Sequence, residues 1–569
     1  MYDLYKSAWQ ALTAPGADFE IDVIDIRGNP TRIYKNAPNS LRDVWLSSAQ
    51  FAERDYLVYG DERLTYADVH SNVASIISWL TEQGVQPGDR IAISMRNYPE
   101  WLQAYWATLT MGAVVVGMNA WWTGPEMVYG LEDATPKILF LDDERLSRLQ
   151  EHPESAQNTK VVGIRLAQDE ASIGETAITP WSDLLGRETT IPEVSIDPDS
   201  DACIFYTSGT TGRPKGAQLT HRGCVSNIFS MMFAAGLLRS IGIQTGQIPA
   251  DAEPPVGSAL VTTPLFHVTA NNCVAHGTTL GGGKLVHMYR WDAGDALKLI
   301  EAEKITAMTG VPVMAREVMA HPDFASTDTS SLLSLGGGGA QLQPDLVGKI
   351  DSEVATAKPS TGYGMTETCG IITSIGAEFF VDKPESCGPA MPCYETRIVD
   401  SAGQQVPDGQ AGELQVRGAQ VIRGYLNRQE ATADSISEGW LSTGDVARID
   451  DDGFLYIVDR IKDMVLRGGE NIYCAEVESA LFEHHAVAEC SVFGVENDRL
   501  GEEVGVGIYL KPQAATTTAD DLREHCRALI AAHKVPRYIW FMDSPLPRNA
   551  SGKFLKRELR ESLDIAKAS

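Results

Sequence analysis

The sequence predicts an α/β fold: a large N-terminal domain with wound, mostly parallel sheets and a small β-barrel-like part, then a small α+β C-terminal domain. Short apolar segments alternate with helical patterns between residues 65 and 309. Short β segments separated by Gly, Asp and Pro run from about residue 395 to 458, and residues 474–542 mix helices with strands. At 569 residues and 43% hydrophobic content, the chain needs more than one core.

The first alternating region predicts a mostly parallel sheet. Thr65 and Asp68 have the spacing of a capping box, so a helix is expected from there to about residue 80. The pattern continues with a strand at 90–95, a helix at 99–111, a strand at 114–118, a helix at 125–133 and a strand at 137–142. Residues 151–195 are polar and carry little signal.

A second alternation predicts another wound half. Its expected elements are strands at 259–263, 284–289 and 305–309, with helices at 268–280 and 292–304. The β-rich region that follows predicts strands at 395–399, 412–417 and 453–458, as in a small barrel or twisted sheet.

The C-terminal pattern differs from the rest of the chain. It predicts helices at 474–483 and 518–532 and strands at 488–493, 503–510 and 538–542. The change of pattern near residues 459–463 predicts a hinge. We therefore expect two domains, 1–461 and 462–569.

Composition excludes several classes of function. A formal charge of −29 repels nucleic acid and anionic membranes, although a local basic pocket for a phosphorylated ligand would survive it. Nine cysteines without a CxxC pair favour reduced thiols. The N-terminus lacks a basic start followed by an apolar segment, and the apolar stretches fall short of a membrane span. We expect a cytoplasmic protein without a transmembrane segment, and a homodimer remains open.

The glycine-rich stretch YTSGTTGRPKG at 206–216 predicts a polyphosphate cradle. Glycine lets backbone N–H groups approach an anion, hydroxyls donate hydrogen bonds, and lysine adds a mobile positive charge. The residues concerned are Thr207, Ser208, Gly209, Thr210, Thr211, Gly212 and Lys215. A Walker A loop is excluded, because Gly212 is followed by Arg-Pro-Lys rather than Lys-Ser/Thr. A solvated turn is the alternative.

Three further motifs contain residues that could contact a bound ligand. YGMTE at 363–367 combines an aromatic ring, a hydroxyl and a carboxylate that could share Mg²⁺ with phosphate oxygens, although alone it is more often a turn. The glycines at 336–339 and Ala340 let a planar ligand lie on the backbone or mark a tight turn. In STGD at 442–445, Asp445 could accept both hydroxyls of a ribose, but Gly-Asp turns are common.

These motifs, together with DRIKD at 459–463, RGGEN at 467–471 and PRNASGK at 547–553, resemble the ordered motif set of the adenylate-forming superfamily, especially its acyl-CoA synthetases. The resemblance covers about residues 40–560. It implies a large N-terminal domain, a small mobile C-terminal domain and an active site at their interface. The substrates implied are ATP, CoA and a small-molecule carboxylic acid, with Mg²⁺ as cofactor.

The resemblance also implies roles for individual residues. The residues from Thr207 to Lys215 would hold the triphosphate, Glu367 would bind Mg²⁺, and Lys553 would bridge the acid carboxylate and the α-phosphate. Gly338, Gly339, Ala340 and Tyr363 would flank adenine, and Gly364 and Met365 would also belong to the ATP/AMP-binding residues. The remaining roles implied are phosphate contact for Thr366, ribose contact for Asp445 and Arg460, a pantetheine path along Gly468 and Gly469, and a hinge at Lys462.

The acid substrate and the acceptor are less defined. His267 is by default a packed residue, and the resemblance places it at the mouth of the acyl pocket. Segments 266–272, 310–314, 336–339 and 369–372 are mostly small or apolar without Lys or Arg, which predicts an apolar monoacid, either a medium or long fatty acid or a bulky ring-bearing acid. The alternatives are an enzyme that loads a separate carrier protein, a luciferase-like oxygenase and a non-catalytic nucleotide-binding regulator.

Overall fold

The structure is a computed structural model that describes residues 1–168, 171–187, 190–207, 213–354, 356–468, 470–514, 516–549 and 553–569. Two eight-stranded sheets dominate it. In both sheets the interior strands are parallel and the pair at each edge is antiparallel. This confirms the predicted α/β class with wound, mostly parallel sheets.

The first sheet is built from residues 90–220. Its central strand Arg90–Ser94 pairs in parallel on both sides, which agrees with the apolar run of that segment. Across the sheet the strands are Lys215–Thr220, Asp201–Thr207, Val114–Gly117, Arg90–Ser94, Ile138–Asp142, Lys160–Ile164, Thr176–Pro180 and Ser172–Ile173. Three of these strands lie in the polar region 151–195, where the sequence predicted none. Ser172–Ile173 and Thr176–Pro180 are short strands at the sheet edge, whereas Lys160–Ile164 pairs with a strand on each side.

One hairpin of the second sheet precedes the first sheet in the sequence, and the other strands of the second sheet come from residues 258–376. The hairpin Asp55–Tyr59 and Glu62–Thr65 joins it through the parallel pairing of Asp55–Tyr59 with Lys284–His287. Across the sheet the strands are Gly370–Gly376, Lys358–Met365, Ser334–Gly337, Ala307–Gly310, Ser258–Val261, Lys284–His287, Asp55–Tyr59 and Glu62–Thr65.

Helices cover both sheets. The predicted capping box is present, since Thr65 accepts from the Asp68 N–H and Asp68 accepts from the Thr65 N–H, and the helix runs over Tyr66–Glu82. The other α-helices of this part are Tyr2–Thr13, Leu41–Ser47, Pro99–Thr110, Gly124–Ala134, Asp143–Gln150, His221–Gln244, Val268–Ala270, His276–Leu280, Ala293–Glu303, Pro312–Ala320, Pro344–Glu353, Ala377–Asp382 and Gln429–Ser435. The helix predicted at 268–280 is interrupted by a π-helical turn, Asn271–Ala275.

The helix His221–Gln244 connects the two large cores. Cys224, Val225 and Ile228 belong to a core that contains residues of both large sheets, whereas Phe233 and Leu237 belong to a core that contains residues of the second sheet and of the β-rich sheet. With 24 residues and a mean hydropathy of 1.4 over its apolar window, it could cross a membrane by length and composition, but 56% of that window is buried within the protein. A core helix shows the same composition.

The β-rich region forms a five-stranded antiparallel sheet. Its strands are Tyr394–Val399, Gly412–Gly418, Trp440–Ile449, Ile436–Ser437 and Leu455–Arg460. An N-terminal hairpin, Ile21–Ile26 with Asn29–Tyr34, forms a separate two-stranded sheet that contacts this region through Arg32 and the Tyr394 carbonyl. All nine cysteines carry free thiols.

The C-terminal part is an α+β unit with its own core, which includes Val477, Leu481 and Ile539. Its sheet contains the strands Glu470–Ile472, Val465–Arg467, Gly501–Leu510, Val487–Asn497 and Tyr538–Phe541. Its α-helices are Cys474–Phe482, Ala519–Leu529 and Lys556–Ser562. The α+β character predicted for this part is confirmed, while the boundary at 461/462 stays a prediction.

Candidate active site

The glycine-rich stretch lies at the turn of an antiparallel hairpin at the edge of the first sheet. Asp201–Thr207 enters the turn and Lys215–Thr220 leaves it, with Thr207 opposite Lys215. Ser208, Gly209, Thr210, Thr211 and Gly212 lie outside the described residues. Both Thr207 and Lys215 are half-buried, so the ends of the stretch face a partly enclosed space.

Lys215 and Glu367 both contact Tyr425. The Lys215 Nζ is 5.0 Å from the ring centroid of Tyr425, and the Tyr425 hydroxyl donates to Glu367 Oε1 at 2.8 Å. Burial raises the pKa of Glu367, and the hydrogen bond from Tyr425 opposes that shift. Tyr425 thus contacts both charged side chains, and the positive charge of Lys215 also opposes the rise in the pKa of Glu367.

Sequence analysis did not identify Tyr425. It belongs to a segment that runs along the hairpin: the Leu426 N–H donates to the Gly216 carbonyl and the Gln218 N–H to the Gly424 carbonyl. Its own N–H donates to Thr432 Oγ1 at 2.9 Å. A single tyrosine in a loop has no local signal, because only pairing between distant segments places it there.

The YGMTE motif ends a strand beside the site. Tyr363, Gly364 and Met365 close the strand Lys358–Met365, and Thr366 and Glu367 begin a 3-10 turn. Gly364 is required there, since a Cβ would lie 1.9 Å from the Gly370 carbonyl oxygen. The strand and turn therefore direct Glu367 inward, where only 7% of the residue is exposed.

A second carboxylate, Asp445, is held by Tyr363 and Arg460. The Tyr363 hydroxyl donates to Asp445 Oδ2 at 2.5 Å, and Arg460 Nε is 3.5 Å from Asp445 Oδ1. Asp445 and Arg460 face each other in neighbouring antiparallel strands. Burial raises the pKa of Asp445, and its contacts with Tyr363, Arg460 and Lys553 oppose that shift.

Lys553 of the C-terminal unit reaches this group of residues. Its Cε is 3.7 Å from the position that a Cβ would take on Gly339, which has a φ of +75°. Burial lowers the pKa of Lys553 to about 8, helped by Arg460 and opposed by Asp445 and Glu367. The structure therefore brings together the predicted adenine, ribose, metal and acid-contacting residues, although they come from both parts of the chain.

His267, Gly338 and Ala340 are three more of the predicted site residues. Burial, together with the charge of Lys553, lowers the pKa of His267 to about 4, so this ring is neutral at physiological pH. The Thr269 and Thr309 methyl groups lie 3.8 and 3.9 Å from the position of a Cβ on Gly338, which leaves its backbone face open. Ala340 is exposed next to Gly339.

The predicted pantetheine and hinge residues lie on other elements. Gly468, with a φ of +60°, ends the strand Val465–Arg467, and its N–H donates to the Leu500 carbonyl within the C-terminal sheet. Gly469 lies outside the described residues. Lys462 is exposed in the turn between Leu455–Arg460 and Val465–Arg467.

Comparison with known proteins identifies the family. The profile of AMP-binding enzymes matches residues 44–426, and that of the AMP-binding enzyme C-terminal domain matches residues 476–553. The chain belongs to the AMP-binding enzyme family. As the sequence predicted, it falls in the acyl-CoA synthetase branch of the adenylate-forming superfamily and is an acid–thiol ligase that uses ATP and CoA.

Similar proteins cover almost the whole chain. A feruloyl-CoA synthase from Amycolatopsis sp is 35% identical over 503 residues, covering 88% of this chain and 94% of the relative. A 4-coumarate–CoA ligase 2 from Nicotiana tabacum is 31% identical over 522 residues, covering 90% and 92%. The solved structure of o-succinylbenzoate CoA synthetase from Bacillus subtilis with its acyl-adenylate intermediate is 28% identical with a TM-score of 0.74, covering 91% and 97%.

Proposed function

We propose that this AMP-binding enzyme activates a ring-bearing, largely apolar carboxylic acid as an acyl-adenylate and transfers the acyl group to CoA. The observation that carries the proposal is the position of Lys553 beside Gly339, with its charge close to Glu367, Asp445 and Arg460. Burial and the charge of Arg460 disfavour the charged form of Lys553 in spite of the two carboxylates, so an anionic ligand bound there would stabilise it. A triphosphate and a substrate carboxylate supply that charge.

The nucleotide would contact residues of both large sheets and of the β-rich sheet. Lys215 and the glycine-rich stretch would bind the triphosphate, Asp445 and Arg460 the ribose, and Tyr363 with Gly338 the adenine. Among the described residues no group of three or more His, Cys, Asp or Glu side chains could hold a metal ion by itself. Mg²⁺ accepts one protein carboxylate plus phosphate oxygens, so Glu367 fits it as a single ligand. Bound there, Mg²⁺ would neutralise phosphate charge.

The chain's own residues would act mainly by position and charge. In the first step a substrate carboxylate oxygen attacks the α-phosphorus of ATP, and the bond to the bridging oxygen breaks to release pyrophosphate. Lys553 would hold the attacking carboxylate against the α-phosphate and stabilise the charge that develops there. In the second step the CoA sulfur attacks the acyl carbon, AMP leaves, and the thiol proton is lost.

The segments expected to line the acyl pocket, among them 266–272 and 369–372, favour an apolar acyl group. Asn227 accepts from the Ile371 N–H at 2.9 Å and donates to the Asn272 carbonyl at 3.1 Å, so its amide serves the protein backbone. The charged side chains Lys553, Glu367, Asp445 and Arg460 are all assigned to the nucleotide or the reacting carboxylate. The relatives named for feruloyl, 4-coumarate and o-succinylbenzoate substrates act on acids that carry an aromatic ring.

The test is pyrophosphate release and acyl-CoA formation over a panel of acids. The panel contains cinnamates and benzoates of increasing size, medium and long fatty acids, and short dicarboxylates. We expect ring-bearing monoacids to give the highest kcat/KM. Preference for long fatty acids would correct the acyl class, whereas turnover of a short dicarboxylate with none on apolar acids would contradict the proposal. Pyrophosphate release without transfer to CoA would indicate a different acceptor, such as a carrier protein.

A further inference from the structure

A buried carboxylate caps a helix on the far side of the predicted hinge. Asp459, only 8% exposed, lies near the end of the strand Leu455–Arg460. Its Oδ2 accepts from the N–H of Cys474, the first residue of the helix Cys474–Phe482, and its Oδ1 accepts from the Arg460 N–H at 2.7 Å. Tyr473, at the N-cap position, makes no side-chain cap. Asp459 therefore supplies from another strand the cap that the helix lacks locally.

A second contact ties the segment of Lys553 to the same helix. Lys556 begins the helix Lys556–Ser562 just after Lys553, and its Nζ is 2.9 Å from Glu478 Oε1 on Cys474–Phe482. Burial raises the pKa of Asp459, and the positive charge of Lys556 opposes that shift. Burial lowers the pKa of Lys556, and the negative charges of Glu478 and Asp463 outweigh that effect. The Cys474 thiol donates to the Asp463 carbonyl at 2.9 Å. The end of the β-rich sheet, the hinge and the segment carrying Lys553 thus meet at one buried polar cluster.

The same strand serves the nucleotide site. Arg460 follows Asp459 directly and contacts Asp445, while Asp459 contacts the C-terminal helix. Successive side chains of a strand point to opposite faces, so one strand end holds both groups at once. A shift of the C-terminal unit relative to this strand would break the Asp459 contact and move Lys553 away from Gly339.

We propose that Asp459, supported by Lys556, is a latch that holds the C-terminal unit in the arrangement that places Lys553 in the active site. Both are positioning residues for acyl-adenylate formation and touch no substrate. This inference rests on the proposed function, because it gives the latch to the step that uses Lys553. Rotation about Lys462 would leave a buried carboxylate without its N–H donor from Cys474, which costs free energy. The latch therefore favours the first half-reaction over the second.

The latch is tested by measuring the two half-reactions, pyrophosphate release and acyl-CoA formation, separately with the full-length protein. Asp459→Ala should lower kcat for pyrophosphate release by at least tenfold, with the KM for ATP within about twofold of wild type, since Arg460 and Asp445 remain. Acyl-CoA formation from supplied acyl-adenylate should stay within about twofold. Lys556→Met should also lower kcat for pyrophosphate release, whereas Lys556→Arg should keep most of the wild-type rate. The double variant Asp459→Ala with Lys556→Met should lose less of this rate than the product of the two single effects. Asp451→Ala, which changes an exposed aspartate just before the same strand, is the matched control.

Amide hydrogen exchange gives a readout that needs no turnover. Exchange at residues 474–478 should be faster in Asp459→Ala than in wild type and in Asp451→Ala, because the capped N–H groups lose their acceptor. Equal losses in both half-reactions, or unchanged exchange in these residues, would overturn the latch. If wild type releases no pyrophosphate with any acid, the proposed function fails, and the exchange comparison still decides whether Asp459 holds the helix.

Discussion

Lys553 reaches the active site from the C-terminal part of the chain, where burial lowers its pKa to about 8. We expect Lys553→Ala to reduce acyl-adenylate formation by roughly two or more orders of magnitude, because the cation at the α-phosphate is lost. Thioester formation from supplied acyl-adenylate should be spared. Pyrophosphate release and acyl-CoA formation are measured separately, with Lys567→Ala as a control near the C-terminus. An equal loss in both steps would refute the assigned role.

Glu367 accepts a hydrogen bond from Tyr425, whose ring also contacts Lys215. Glu367→Gln keeps the shape and an oxygen that can accept from Tyr425, but it removes the charge assigned to Mg²⁺. We expect the variant to need several-fold more Mg²⁺ for half-maximal activity and to turn over more slowly. Activity is titrated with Mg²⁺ at fixed ATP for wild type, Glu367→Gln and Tyr425→Phe. An unchanged Mg²⁺ dependence in Glu367→Gln would indicate a structural glutamate.

At the scale of elements, the turn after Leu455–Arg460 joins the two parts of the chain at Lys462. The Ile461 N–H donates to the Gly444 carbonyl, and the Asp463 N–H to the Arg460 carbonyl. Proline at 462 would fix φ near −65° and restrict Ile461, which hinders any second arrangement of the C-terminal unit. We expect Lys462→Pro to retain substantial acyl-adenylate formation and lose overall thioester synthesis.

Lys462→Ala is the control for this prediction, because it leaves the backbone free and should be nearly normal. Both half-reactions are measured for each variant. Equal losses in the two half-reactions for Lys462→Pro, or a collapse of activity with Lys462→Ala, would show that the turn is not the hinge.

At the scale of the whole molecule, buried histidines predict acid sensitivity. Burial lowers the pKa of five buried or half-buried histidines from 6.5 to between about 3 and 4: His70, His221, His267, His276 and His287. At a pH between the lowered pKa of the folded state and 6.5, the unfolded chain binds protons at these rings that the folded chain does not. Each ring then lowers the free energy of unfolding by up to about 1.4 kcal/mol per pH unit as pH falls.

The apparent melting temperature should therefore fall steeply between pH 6.5 and pH 4. Buried carboxyls such as Asp201, whose pKa is raised by burial, act in the opposite direction, because the folded chain keeps that proton. Thermal unfolding is followed from pH 7 to pH 4 for wild type, His70→Gln and the exposed-residue control His485→Gln. His70→Gln should reduce the slope and His485→Gln should not. A melting temperature that is constant or rises on acidification would contradict the prediction.

The sequence by itself determined the α/β class, the change of pattern near residue 460 and the motif chemistry. These depend on local rules: the period of apolar residues, the Thr65–Asp68 capping box, and glycines and hydroxyls grouped in one stretch. The length of helix His221–Gln244 is not marked in the sequence, because an all-round apolar helix in a core lacks the one-sided period of an amphipathic helix.

Only the tertiary structure decided which distant groups meet. It placed Tyr425 in contact with both Lys215 and Glu367, and Asp459 at the N-terminus of Cys474–Phe482. It also broke the expected helix at 268–280 with a π-helical turn, where Asn272 donates to the Cys369 carbonyl of a remote segment. Hydrogen bonds between remote segments depend on how sheets and helices pack. Local periodicity carries no information about them, because the same side-chain pattern satisfies many packings.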